Sequence, residues 1–242
     1  MLREIITVEG VSKDFRGTTA LDSVTLSFTS GTTALLGRNG AGKTTLINLI
    51  GDVVLPSEGL ILAGGHPAGS PSAVELIARQ MELPGTARFL TAGKLERLLG
   101  LTPEEKTSFT AIRRRFAIPE RQMGKLSKGN QLKLALALAF ARARPILLLD
   151  EPTSGLDFFG VEVLADLIGT RRDAGLATVV ATHQPTLTPE LFDHAVVIDE
   201  GRLLYIGDLP GLLDLAPEPP GETTPTARLA SAMLGLISGG RR

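Results

Sequence analysis

The sequence predicts an α/β fold, a sheet-forming core interrupted by a block of helices. Three observations carry that expectation. Residues 2–8 and 24–28 alternate apolar and polar side chains with a period of two, as half-buried strands do. Residues 146–149 are an unbroken aliphatic run, the pattern of a parallel strand covered on both faces. Between them, residues 84–144 turn helical, with Thr91 placed as an N-cap and Thr102-Pro103-Glu104-Glu105 opening another helix.

The remaining elements follow in order. Gly31 marks a turn into a short strand over 33–36, and a helix follows over about 43–50. Pro56-Ser57-Glu58-Gly59 reads as a turn, residues 60–63 as part of a small hairpin, and a strand is expected near 74–78. Residues 130–142 are apolar nearly all round after their first turn, so that helix should be buried on several sides. Beyond the aliphatic strand come a helix at about 159–172, a strand at 177–181, and a hairpin of 195–199 with 202–206 turning at Glu200-Gly201. Pro217, Pro219, Pro220, Gly221 and Pro225 make a stiff linker before a short terminal helix at 227–237. The expected organisation is one domain over 1–208, with core segments 1–83 and 145–208 around the insert 84–144, and a tail over 209–242.

Composition narrows the chemistry. None of the 242 residues is cysteine, which excludes disulfides, thiolate catalysis and Cys-ligated metals, and His66, His183 and His194 are the only imidazoles. Lys and Arg number 25 against 26 Asp and Glu, a balance that gives no reason to expect nucleic-acid binding. The longest apolar run, residues 134–141, is far short of the ~20 residues of a spanning helix, and residues 1–4 do not open a signal peptide. A cytosolic, soluble chain is therefore expected. Its mean hydropathy of +0.18 points to a large buried core, a partner surface, or both.

Gly37-Arg38-Asn39-Gly40-Ala41-Gly42-Lys43-Thr44 matches the phosphate-binding loop G-x-x-x-x-G-K-[ST], between a predicted strand and a predicted helix, with Thr45 next in the same turn. Its glycines let backbone N–H groups converge on one anion, and the helix N-terminus adds positive potential. Lys43 would neutralise the β- and γ-phosphates of a nucleotide, and the Thr44 hydroxyl would ligate Mg²⁺. The aliphatic strand ends in Asp150 and Glu151, two carboxylates where open α/β sheets gather their ligands. Asp150 would hold Mg²⁺, and Glu151 could polarise an attacking water.

Five further motifs follow, and together they resemble the nucleotide-binding domain of the ATP-binding cassette family, the engine subunit of ABC transporters, over residues 3–208. Gln80 matches the glutamine loop, Leu126-Ser127-Lys128-Gly129-Asn130 the signature, Ser154-Gly155-Leu156-Asp157 the loop after the paired carboxylates, His183 the switch histidine, and Phe15 the adenine-stacking aromatic. Read alone, Ser127 is an ordinary helix N-cap, His183 a loop histidine, Phe15 a core or loop residue, and Asp157 an N-cap as readily as a dimer contact. The signature departs from the family at Lys128 and Asn130, where glycine and glutamine are usual.

The resemblance implies a P-loop NTPase core, a RecA-like mixed sheet with flanking helices, an N-terminal antiparallel part and a helical insert. It implies ATP and Mg²⁺ as cofactors, with Gln80 sensing the metal and the γ-phosphate and His183 bonding the γ-phosphate and the water. Ser127 and Gly129 would meet the γ-phosphate held by a second chain, so that a homodimer or heterodimer sandwiches two ATP head to tail. The chain would then drive a separate transmembrane permease from the cytoplasmic face of the membrane, with the insert grooved for a cytoplasmic helix of that partner. The short form and the Leu-Ser-Lys-Gly signature lean slightly to export. Alternatives are a soluble ATPase of this type acting on nucleic acid or ribosomes, and a regulatory subunit that binds nucleotide without catalysis.

Overall fold

The computed structural model describes residues 4–81, 88–183, 187–215 and 224–239. Residues 2 and 3 of the first expected strand, Pro84 at the expected start of the insert, and linker residues Pro217, Pro219, Pro220 and Gly221 lie outside these.

Two sheets form the scaffold. Strands β1 (Glu4–Phe15) and β2 (Thr18–Thr29) pair antiparallel, with Ile6 opposite Phe28 and Val8 opposite Leu26. The strand β4 (Glu58–Ala63) joins the other edge of β1, and the short β5 (His66–Pro67) completes this sheet. The larger sheet runs β10-β9-β3-β8-β7-β6. Its members are β3 (Gly31–Leu36), β6 (Ile77–Arg79), β7 (Ile146–Asp150), β8 (Ala177–Thr182), β9 (His194–Asp199) and β10 (Arg202–Asp208). All neighbours are parallel except the β9–β10 hairpin.

Both faces of the large sheet are buried, which is why β7 carries no polar residue before Asp150. Leu35, Leu148, Val179 and Ile198 point to one side, where α1 (Lys43–Ile50) fills the space below the antiparallel sheet. Leu36, Leu147, Leu149, Val180 and Val197 point to the other, against α5 (Lys128–Ala141), α6 (Phe158–Asp173) and the rest of the helices. Arg171 clamps this side from within. Its guanidinium donates to Thr178 Oγ1 and to the carbonyls of Arg144 and Ala177 at 2.9–3.2 Å, and burial lowers its pKa to about 10.

The helices between β6 and β7 form where their caps direct them. In α4 (Pro103–Arg115) the Thr102 hydroxyl accepts from Glu105 N while Glu105 accepts from Thr102 N, a reciprocal capping box. Thr91 occupies the N-cap of α3 (Ala92–Leu98), with no side-chain cap bond. The strand expected near 74–78 is a correction. Ser70 caps a helix, α2 (Pro71–Leu76), and β6 begins only at Ile77. The helix start signal, Ser followed by Pro, outweighs the short apolar alternation behind it. Phe15, which read alone is a core or loop residue, is the last residue of β1 and pairs with Thr18.

After β10 the sequence pattern missed a short helix, α7 (Leu209–Asp214), capped by Asp208. The terminal helix α8 (Pro225–Gly239) buries Leu229, Ala232, Met233 and Ile237 in the same apolar cluster as the large sheet. No helix among the described residues is long and apolar enough to cross a membrane.

Candidate functional site

The loop between β3 and α1 contains residues 37–42, and Gly42 closes it at φ 107°, a left-handed conformation that favours glycine. A side chain there would also meet the Ala20 carbonyl oxygen at 2.6 Å. Arg38, Asn39 and Gly40 are exposed at the loop crest, Ala41 is buried, and Thr44 and Thr45 stand exposed and half-buried in the first turn of α1. Lys43 is buried, and its Nζ donates to the Gly37 and Arg38 carbonyls at 2.9 and 3.0 Å. Burial lowers the Lys43 pKa, against the opposing pull of Glu151 and then Asp150.

Three parallel strands, β6, β7 and β8, deliver the other chemistry to the same end of the sheet. Glu151 follows β7 at φ 46°, a strained position for a residue with a side chain. Its Oε1 accepts from His183 N at 2.9 Å and lies 2.8 Å from His183 Nδ1, while Thr182 Oγ1 donates to Oε2 at 3.2 Å. An ionised carboxylate can only accept, so Nδ1 carries the proton in that contact and Nε2 is left for other partners. Lys43 Nζ stands 3.8 Å from Glu151 Oε1. Gln80, just past β6, donates from Nε2 to the Asp150 carbonyl at 3.1 Å.

The donor set fits Mg²⁺. This cation prefers oxygen ligands and is held by one or two carboxylates plus substrate phosphates. Gln80 Oε1 is a buried acceptor with no hydrogen-bond partner among the described residues, beside the Asp150 backbone. The exposed Thr44 hydroxyl adds a second neutral oxygen. No cluster of three His, Asp or Glu among the described residues would hold a metal unaided.

Lys43, Gln80, Asp150, Glu151 and His183 are thus brought together, while Ser127 and Gly129 belong to a second block. Ser127 caps α5, its Oγ accepting from Asn130 N at 3.2 Å. Lys128 is exposed and leaves that cap intact. Asp157 caps α6 through Gly160 N at 2.8 Å and accepts from Lys133 Nζ of α5 at 2.9 Å. That hydrogen bond from Lys133 holds the Asp157 carboxyl below the usual range. Gly129 packs on the Gly155 carbonyl, where a Cβ would come within 2.5 Å. Phe15 sits on the antiparallel sheet, exposed, with Lys13 Nζ 4.9 Å from its ring centre. Sequence reasoning missed Thr182 and Lys133. Thr182 adjoins His183 and was open to notice, whereas nothing local to Lys133 marks it as the tie between α5 and α6.

Gly129→Ala is expected to push the 153–157 loop away from α5. The chain should stay folded but lose roughly 1–3 kcal/mol to overpacking, about 2–4 °C of Tm per kcal/mol. ATP turnover should fall at least tenfold. Unchanged turnover would show that this close approach is not needed for the reaction.

The profile described as ABC transporter matches residues 21–154. The hemin import ATP-binding protein HmuV of Streptomyces coelicolor is 30% identical over 244 residues, covering 93% of this chain and 87% of the relative. The SkfA peptide export ATP-binding protein SkfE of Bacillus subtilis is 30% identical over 212 residues, covering 83% and 88%. A solved ATP-binding subunit of an ABC transporter superposes with a TM-score of 0.76 at 26% identity, covering 87% of this chain and 92% of its own.

Proposed function

We infer, because this chain belongs to the ABC transporter family and is an ATPase with the cassette fold, that it dimerises around two ATP and drives a separate transmembrane subunit. The observation that supports this reading is a groove physically joined to the reaction centre. A cavity of about 330 Å³ opens between α1 and β6 on one side and α5 on the other, lined by Ile50, Val74, Ile77, Leu138 and Arg142, among others. Arg79 and Met81 line it too, and Gln80 between them reaches Asp150. A helix seated in the groove would therefore move the residue that touches the end of β7.

The groove's chemistry describes its occupant. Its walls are mostly apolar, and Arg79, Arg142 and Arg144 outnumber Asp52 there. Glu105 lies 3.7 and 3.9 Å from Arg142 and Arg144, and burial lowers the Arg79 pKa. Residues 88–144 carry thirteen Lys and Arg against four Asp and Glu. An amphipathic cytoplasmic helix of the permease, apolar on one face and acidic at its edge, complements such a surface.

On the nucleotide, Lys43 and the loop amides would hold the β- and γ-phosphates. Glu151 would take the proton of the attacking water, His183 would contact the γ-phosphate, and Phe15 would stack on the adenine. Mg²⁺, held by Thr44, Asp150 and Gln80 together with the phosphates, would supply charge neutralisation. Ser127 and Gly129 of a second copy would cover the γ-phosphate. Identity is the same to a hemin importer's subunit and a peptide exporter's, so a lean to export rests on the Leu-Ser-Lys-Gly signature alone.

A mild-detergent pull-down of tagged protein from its host's membranes tests the transport reading. A stoichiometric hydrophobic chain with several spans should copurify. Recovery only in the soluble fraction, alone or with ribosomes or DNA, would leave the ATPase chemistry standing and remove the transport claim.

A further inference from the structure

Two exposed features border the reaction face, a pair of rings and a cavity that reaches from the phosphate loop to the C-terminal helix. Phe158 and Phe159 open α6 directly after Asp157, 72% and 74% exposed, with their rings in edge contact at 5.9 Å. The Lys133–Asp157 pair and the Gly129–Gly155 contact fix them relative to Ser127 and the start of α5. The signature turn and the two rings are therefore one block. The second feature is a cavity of about 420 Å³ beside the phosphate loop. The phosphate loop and His183 form one wall, Met233 and Leu234 of the C-terminal helix α8 form another, and the carboxylates Asp199 and Glu200 also line it. Leu234 is 52% exposed there.

We propose that the Phe158–Phe159 pair of one copy seats in the cavity between the phosphate loop and α8 of a second copy, which makes the C-terminal helix part of the ATP-dependent dimer face. This rests on the head-to-tail dimer inferred above. A signature turn that meets the partner's phosphate loop carries the two rings to the surface beside that loop, and the exposed apolar side chain lining the cavity there is Leu234. Arg38, exposed in the same cavity, offers a cation to the ring faces. Two-fold symmetry makes the contact twice.

Area decides how strong the seat is. Four phenylalanines of about 150–250 Å² each, already three-quarters exposed, hide about 600 Å². Stable interfaces bury about 1,200–2,000 Å². The seat therefore adds to an interface bridged by ATP and does not hold two copies together without nucleotide.

The chain has no native cysteine, so a chain carrying Phe159→Cys and Leu234→Cys reports the contact directly. In a Glu151→Gln background with ATP and Mg²⁺, mild oxidation should give a covalent dimer in at least tenfold greater yield than without nucleotide. Leu234→Glu, on the exposed side of α8, should weaken ATP-dependent dimerisation at least tenfold in sedimentation, with monomer ATP binding unchanged. A Glu151→Gln chain that dimerises on ATP but neither cross-links at this pair nor responds to Leu234→Glu overturns the seat and leaves the dimer standing. A Glu151→Gln chain that stays monomeric with ATP overturns both.

Discussion

Glu151→Gln is expected to cut steady-state ATP turnover at least a hundredfold while ATP still binds, leaving a closed, nucleotide-loaded dimer. A hundredfold is about 2.7 kcal/mol of barrier, at the low end of what a positioned general base supplies. The structure shows why the glutamate is suited to that role. Its two oxygens are oriented by three donors, His183 N, His183 Nδ1 and Thr182 Oγ1. The backbone at Glu151 is held at φ 46° by a bond from its own N–H to the Ala181 carbonyl. Glutamine keeps the shape and one accepting oxygen but cannot take a proton from water. The backbone strain is the same in both, so the melting temperature should stay within about 2 °C. Turnover within threefold of wild type, less than ~0.7 kcal/mol of barrier, would assign the proton to another group.

What the sequence reveals of this site depends on how far apart the parts lie along the chain. The phosphate-loop motif is legible because it is written in eight consecutive residues, and the structure gives it the strand before and helix after that the motif requires. Asp150 and Glu151 are legible because an apolar run stops at them. The Glu151–His183 contact spans 32 positions, and local pattern shows only that each residue ends a strand. That β7 and β8 are neighbours is a property of the sheet. The Lys133–Asp157 tie and the Gly129–Gly155 approach are less visible still, since helix propensity explains Lys133, and capping explains Asp157, without reference to each other. Helix α8 shows the same limit. Its apolar face is readable in residues 227–237, but that this face returns to the phosphate loop follows from packing against the large sheet. The misread strand at 74–78 arose from weighing four apolar residues above the Ser70-Pro71 start signal that governs them.

Lys43→Ala should raise the ATP dissociation constant at least a hundredfold and barely change the stability of the nucleotide-free chain. These two effects differ because Lys43 is poorly placed until phosphate arrives. Its ammonium is buried and, among the described residues, bonded only to neutral carbonyls at 2.9 and 3.0 Å, with Glu151 at 3.8 Å. Its pKa is lowered by burial even with two carboxylates nearby, so carrying the charge costs the empty protein free energy. Alanine removes that cost along with two hydrogen bonds, and the two changes offset. A bound polyphosphate reverses the balance. Hydrogen bonds to charged groups contribute about 1.5–3 kcal/mol each, and a hundredfold in affinity is about 2.8 kcal/mol. The pH dependence provides an independent check. A lysine whose folded pKa lies below the unfolded value binds fewer protons when folded, so its stability penalty fades as pH rises through the folded pKa toward 10.5. Wild type should therefore gain stability relative to Lys43→Ala on going alkaline. A difference that shrinks or reverses would mean that Glu151 and Asp150 outweigh burial and that Lys43 serves as a structural clamp. ATP affinity within threefold of wild type would remove the triphosphate from this loop altogether.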